Sequence, residues 1–288
     1  MFVSGFTFVR NAIKYDYPVL ESIQSLLPLV DELVVCLGNS EDGTASLIEN
    51  IGNPKIRIVH SVWDETLREG GKVLAVETNK ALDAVSTKAD WCIYLQADEI
   101  IHEDDYPAIR QSMLAHLHNP AVEGLLFDYI HFYGSYHYVG DSRRWYRHEI
   151  RIIRPGLGIR SFRDAQGFRR QNQLLNVKKC HARIFHYGWV KDPLYQQEKQ
   201  KTFNKLWHSD EKVSQMVKDA TYDYSGIDSL AVYNGTHPAV MHERIHKMDW
   251  DFSYQPSRRR LSLKNAFLHW VESTTGKRLF EYRNYRVI

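Results

Sequence analysis

Between Phe2 and Leu95, short apolar runs alternate with segments whose apolar residues recur at helical spacing. The runs Phe2 to Val9, Asp31 to Leu37, Ile56 to His60 and Trp91 to Leu95 predict strands. Between them, Val19, Leu20, Ile23, Leu26 and Leu27 mark one helix, and Ala45, Leu47, Ile48 and Ile51 a second. Val73, Val76, Ala81, Leu82 and Val85 share one broad face of a third. This alternation predicts an α/β fold, with parallel strands joined by right-handed crossovers. Trp91 to Leu95 is continuous enough for a strand buried on both faces. It stops abruptly at Gln96, Asp98 and Glu99, so polar groups emerge at the strand end, where open α/β sheets bind ligands. A solvated acidic turn fits the same residues, because Glu103, Asp104 and Asp105 continue the charge.

Further along, Leu125 to Tyr133 reads as an aromatic-rich strand. Glu149 to Arg154 alternates charged residues with Ile, the pattern of a half-exposed strand or the edge of a mixed sheet. Pro155, Gly156 and Gly158 make a turn into Ile159 to Phe162, and Cys180 to Tyr187 forms another strand. From about Tyr195 the texture becomes polar and helical. The expected division is therefore a first domain over 1–195 and a small α-rich C-terminal extension over 196–288, with a helix at Ser262 to Ser273 and a basic, aromatic tail.

Composition adds limits. The chain has 288 residues, 43% hydrophobic and 25% charged, which suffices for a substantial core. A net charge of +2 points neither to nor away from nucleic acid. Cys36, Cys92 and Cys180 lie far apart, two of them inside apolar runs, so buried thiols are expected rather than a disulfide framework. No apolar run approaches the ~20 residues that span a bilayer. The reading is a soluble protein of a reducing compartment.

Four pieces in order carry a resemblance: Arg10-Asn11 after the first strand, Ser40-Glu41-Asp42-Gly43-Thr44 after the second, a helix with Asn79 to Ala84, and Gln96-Ala97-Asp98 after the next strand. Over roughly residues 2–190 the chain resembles the nucleotide-sugar glycosyltransferases of the GT-A fold, particularly the family-2 inverting type. The resemblance implies a GT-A, Rossmann-like mixed and mainly parallel sheet flanked by helices. It implies a nucleotide-diphosphate-sugar donor held by Arg10, Asn11, Asp42, Lys72, Asn79, Gln96 and Asp98, with Mn2+ or Mg2+ bound by Asp98 and His186. A structural histidine fits His186 equally well. For the base, the resemblance points to Asp164, with Glu149, Asp141 and Glu99 as competitors. Two departures stand out: Gln96 occupies the place of the motif's first Asp, and Leu37 that of an Asp which contacts the nucleoside in many relatives.

The chemistry suits these residue types. Breaking a nucleotide-sugar bond leaves negative charge on the diphosphate, which a hard cation on carboxylate oxygen stabilises. An inverting attack needs a carboxylate to take the acceptor's proton. The acceptor, whether glycan, lipid-linked sugar or protein, is not legible, although Phe132 to Arg147 and the C-terminal segment offer aromatic residues for stacking on sugars. Cell-surface polysaccharide synthesis, in the cytoplasm or at the inner face of the membrane, is the implied setting. The alternatives are a catalytically weak or inactive nucleotide-sugar-binding protein of this fold, suggested by Gln96, and a GT-A-like nucleotidyltransferase, for which no Gly-rich basic signature loop follows the first strand. Arg258-Arg259-Arg260 and Lys277-Arg278 with Phe280, Tyr282 and Tyr285 could contact single-stranded nucleic acid, but the cluster is short. Such a cluster more often caps a helix or meets an anionic membrane surface.

Overall fold

The computed structural model describes residues 1–67, 70–257 and 259–288, so Arg258 of the basic cluster lies outside the described residues. In chain order the strands are β1 (Val3–Val9), β2 (Glu32–Gly38), β3 (Ile56–Ser61), β4 (Trp91–Tyr94), β5 (Glu99–Ile101), β6 (Gly124–Tyr133), β7 (Ser135–Gly140), β8 (His148–Ile153), β9 (Ile159–Phe162), β10 (Gly167–Arg170), β11 (Gln173–Trp189), β12 (Leu230–Val232) and β13 (Tyr285–Val287). The helices are α1 (Val19–Leu26), α2 (Thr44–Glu49), α3 (Lys72–Asp83), α4 (Tyr106–Ala115), α5 (Pro193–Asn204), α6 (Asp210–Met216), α7 (His242–His246) and α8 (Leu263–Thr275).

The sheet runs β3-β2-β1-β4-β8-β6-β11-β10-β9, and its first four strands are parallel. Beyond β4 it turns mixed, with β8 antiparallel to both β4 and β6, and β6 parallel to β11. This is the mixed α/β sheet flanked by helices expected from the sequence. Core side chains fill both faces of the parallel half, Leu33, Val35, Trp91 and Ile93 on one and Phe6, Val34, Cys92 and Tyr94 on the other. That double burial explains why these strands read as unbroken apolar runs. All three cysteines are free and buried.

One expectation is corrected. The strand from Glu149 is neither an edge nor half-exposed: β8 lies inside the sheet, and Glu149 and Arg151 are both buried. The alternation reflects a buried ion pair rather than a solvated face, because Arg151 makes a bidentate contact to Glu99 at 2.7 and 2.8 Å. Among its described residues the segment 196–288 holds most of α5, all of α6, α7 and α8, and also two strands: β12 pairs with β7, and β13 with β11. Among the described residues no helix is long and apolar enough to cross a membrane.

Candidate active site

The C-terminal ends of β1, β2, β3 and β4 deliver Arg10, Asn39, Trp63 and Gln96 to one edge of the parallel half. A cavity of about 490 Å³ opens there, lined among others by Phe8, Arg10, Trp63, Asp98, His186 and Lys199. Arg10 lies over the Trp63 ring at 5.3 Å and donates to the Asn39 carbonyl and to Glu65. This end offers an aromatic wall and a cation. Asn11, on the cavity lining, and Asp42, off it, hold the loop beside this wall. Asn11, at φ 53°, accepts from the Glu41 amide, and its own amide donates to Ser40 Oγ. Asp42 accepts from the amides of Lys14 and Thr44, which ties the loop before α2 to the end of β1. Asn79 clasps the backbone of Ser161 on β9. None of Asp42, Lys72 or Asn79 lines this cavity, although Asn11 does.

Asp98 sits at the cavity floor, 8% exposed. β11 brings His186 beside it, through the register of His186 opposite Glu99 on β5 and a Tyr187 amide bond to the Asp98 carbonyl at 2.9 Å. His186 Nε2 is 3.8 Å from Asp98 Oδ1, while Lys199 Nζ, from α5, is 3.4 Å from Oδ2 and also donates to the Gly188 carbonyl. Lys191 Nζ donates to the Asp16 carbonyl, and both ammonium groups lie over the Tyr17 ring at 4.5 and 4.9 Å. Burial opposes ionisation of Asp98, but its cationic neighbours, Lys199 foremost, hold its carboxyl below the usual range. Burial lowers Lys199 as well, against the pull of Asp98, and takes Lys191 well below the ordinary lysine value.

The histidine tautomers follow from the hydrogen bonds. The Tyr146 carbonyl can only accept, so His131 Nε2, 2.8 Å away, carries the proton. Burial, with His186 adjacent, pushes His131 well below the ordinary histidine pKa, so its Nδ1 is a bare acceptor 3.1 Å from His186 Nδ1. His186 must then donate through Nδ1, and its Nε2 lone pair faces Asp98. Burial lowers His186 too, which keeps it neutral. An anionic oxygen and an imidazole lone pair converging in this way are suitable donors for a hard divalent cation. Gly188 leaves the gap between them open: a Cβ there would lie 2.6 Å from Asp98 Oδ2 and 2.7 Å from His186 Nε2. The two residues fit such an ion as a partial set, because Gln96 brings no charge and the described residues hold no cluster of three ligating side chains. Gln96 instead donates through its side chain to the Ala165 carbonyl.

A second cavity adjoins the first. Asp164, Gln166 and Trp207 line both, and Glu149, Lys72, Tyr282 and Asn284 line only the second. Glu149 is 3% exposed and accepts from Gln166 through Oε1, while its buried Oε2 has no partner among the described residues. Burial raises its carboxyl to about 7. Of the competitors, Glu99 is consumed by Arg151 and Tyr129, while Asp141 meets Arg259 through Oδ2, keeps a buried Oδ1 without a partner among the described residues, and lines neither cavity. Lys199, Lys191 and His131 were not singled out from sequence. The two lysines stand in or before a polar helix, far along the chain from Asp98, and His131 sits in an aromatic strand. A helix that begins just after a strand carrying His186 was the available signal for Lys199.

No model of a known protein family matches the chain, and no curated protein matches its sequence. Solved structures match it at low identity. Staphylococcus aureus TarS is 16% identical over 75% of this chain and 42% of that one, with a TM-score of 0.40. TarS 1–349 in complex with UDP is 15% identical over 75% of this chain and 70% of that one, with a TM-score of 0.41. Glucosyl-3-phosphoglycerate synthase from Mycobacterium tuberculosis, in complex with Mn2+, UDP-glucose and phosphoglyceric acid, is 19% identical over 45% of this chain and 43% of that one, with a TM-score of 0.30. The chain thus spans less than half of the longer TarS chain and of the synthase chain, at 42% and 43%.

Proposed function

We propose that this protein is a nucleotide-sugar glycosyltransferase that moves a sugar from a nucleotide-diphosphate donor to an acceptor hydroxyl with inversion, assisted by a divalent cation. The observation that carries the reading is the convergence of Asp98 Oδ1 and the bare Nε2 of His186 on a gap kept open by Gly188, at the ligand edge of the parallel strands. A bound Mn2+ or Mg2+ would stabilise the charge that develops on the departing diphosphate. Asp98 and His186 would hold the ion, and the donor's own oxygens would complete its shell. Trp63 and Phe8 offer faces for the base, and Arg10 and Lys199 add positive charge near the phosphates. Asn11 and Asp42 act one step back, by shaping the loop that bounds the donor, and Asn79 by fixing β9. Lys72 faces the second cavity, on the acceptor side.

The base is assigned to Asp164, because it is the carboxylate shared by the two cavities. In that role it accepts the hydroxyl proton as the acceptor oxygen attacks. Asp164→Asn keeps size and hydrogen-bonding reach, so donor affinity should persist while turnover falls about 10²–10⁴-fold. If Asp164→Asn turns over normally and a rate rising through pH about 7 is lost in Glu149→Gln, the base is Glu149 instead. A thermal-shift screen of UDP-, GDP-, dTDP- and CMP-sugars, with and without Mn2+ or Mg2+, identifies the donor. The acceptor is a glycan, lipid-linked sugar or protein, in cell-surface polysaccharide synthesis. The two domains are proposed as a nucleotide-sugar-binding and catalytic unit over 1–195 and an α-rich C-terminal extension over 196–288 that lends Lys199 to the first cavity.

A further inference from the structure

Helix α8 wears its apolar face outward. Leu263, Phe267 and Trp270, spaced i, i+4, i+7, share one stripe and are 93%, 60% and 60% exposed. The opposite face carries Glu272, which turns inward to Arg143, Arg147 and Arg278. A helix whose only task was to pack on the domain would do the reverse, burying its aromatic residues and leaving its carboxylate in water. Phe267 and Trp270 instead find each other, with ring centroids 6.1 Å apart, and belong to none of the core clusters. Downstream, Phe280 and Tyr282 add 90% and 74% exposed rings.

The charge around this stripe is predominantly positive, although Asp141 pairs with Arg259. Residues 259–288 hold seven Lys and Arg against Glu272 and Glu281 alone, a net +5 in a chain whose total is +2. Both carboxylates are engaged by arginines, Glu281 by Arg147 and Arg283. Lys264 flanks the stripe, and Lys277 follows the helix, both exposed. Large apolar side chains projecting from a helix rimmed by unneutralised cations form an interfacial anchor, with rings at the acyl boundary and ammonium groups among anionic head groups.

We propose that α8 and the segment that follows it dock this protein on an anionic lipid bilayer. Tyr282 also lines the second cavity beside Glu149 and Asp164, so docking would bring that cavity to the membrane surface. This consequence for a membrane-borne acceptor rests on the transfer reading; the docking itself does not.

Co-sedimentation of the full chain with phosphatidylcholine vesicles, with or without phosphatidylglycerol, tests the proposal without any transfer assay. The protein should pellet with the anionic vesicles, weaken as salt rises, and leave pure phosphatidylcholine largely unbound. Phe267→Ser with Trp270→Ser should weaken binding about tenfold or more while the melting temperature holds, because both side chains are exposed. Should that pair fail to fold, Lys264→Glu with Lys277→Glu gives an independent arm with a loss of about tenfold or more. Absence of vesicle binding, or equal binding to both compositions, overturns the proposal. So does a concentration-dependent dimer, dissociated by the serine pair, in a protein that ignores vesicles.

Discussion

Asp98 and Glu99 are neighbours in sequence, both acidic and both buried, yet they have opposite surroundings. Glu99 is closed. Arg151 grips both its oxygens at 2.7 and 2.8 Å, Tyr129 adds a hydroxyl at 2.8 Å, and the Gln96 amide donates to it as well. Asp98 is open. The Lys199 ammonium stands off at 3.4 Å and the neutral His186 ring at 3.8 Å, on the wall of a cavity, with the space above cleared by a glycine. A carboxylate saturated by a guanidinium fork stabilises the sheet; one held loosely, with an oxygen to spare, is available to a ligand.

The largest expected effect lies on the closed side. Glu99→Ala strands the Arg151 guanidinium in the core, and breaking such a buried pair costs about 3–5 kcal/mol, read as a lower denaturant midpoint. If Glu99→Ala unfolds like the parent, the closed pair has no structural weight and the comparison collapses.

A second effect separates the two carboxylates of the second cavity from both. Burial raises the Glu149 carboxyl to about 7 in the folded protein, from an ordinary 4.5 in the unfolded chain. The folded state therefore holds a proton that the unfolded state releases, and stability falls as pH rises from about 4.5 through 7. Above pH 7 the charged, buried carboxylate costs on the order of 3 kcal/mol, so Glu149→Gln should raise the midpoint at pH 8 and change it little at pH 4. Equal stability of parent and variant at pH 8 would place Glu149 in water.

Smaller changes sharpen the open side. Lys199→Met removes the ammonium that occupies Asp98 Oδ2, so Mn2+ should bind the nucleotide-free protein more tightly, on the order of tenfold by calorimetry. His131→Phe leaves the His186 proton unassigned between its two nitrogens, and cation affinity in the presence of nucleotide should fall about 10-fold or more. Unaltered affinity in both variants would mean that the cation does not use this pair.

How far the sequence announced this difference depends on what each residue leans on. Apolar runs buried on both faces, strand-end polar residues and the Ser40 to Thr44 loop were legible because each depends on its own neighbours in sequence. Asp98 was visible as the place where an apolar strand stops. Glu99 read as a competitor of Asp164 for the base, because nothing near it in sequence reveals Arg151, and alternation in β8 reports polarity and not pairing. Lys191, Lys199 and His131 owe their surroundings to β11 and α5 folding back on the strand end, a long-range event with no local pattern. The inverted α8 was foreshadowed only by its composition.

The most direct test is calorimetric titration of UDP and the other nucleotide diphosphates into parent and Asp98→Asn protein, with and without Mn2+. The parent should bind one nucleotide far more tightly with the cation present, and Asp98→Asn should lose that dependence while keeping its fold. A variant that binds nucleotide with the parent's dependence on Mn2+ would contradict the account, because the open carboxylate would then be idle.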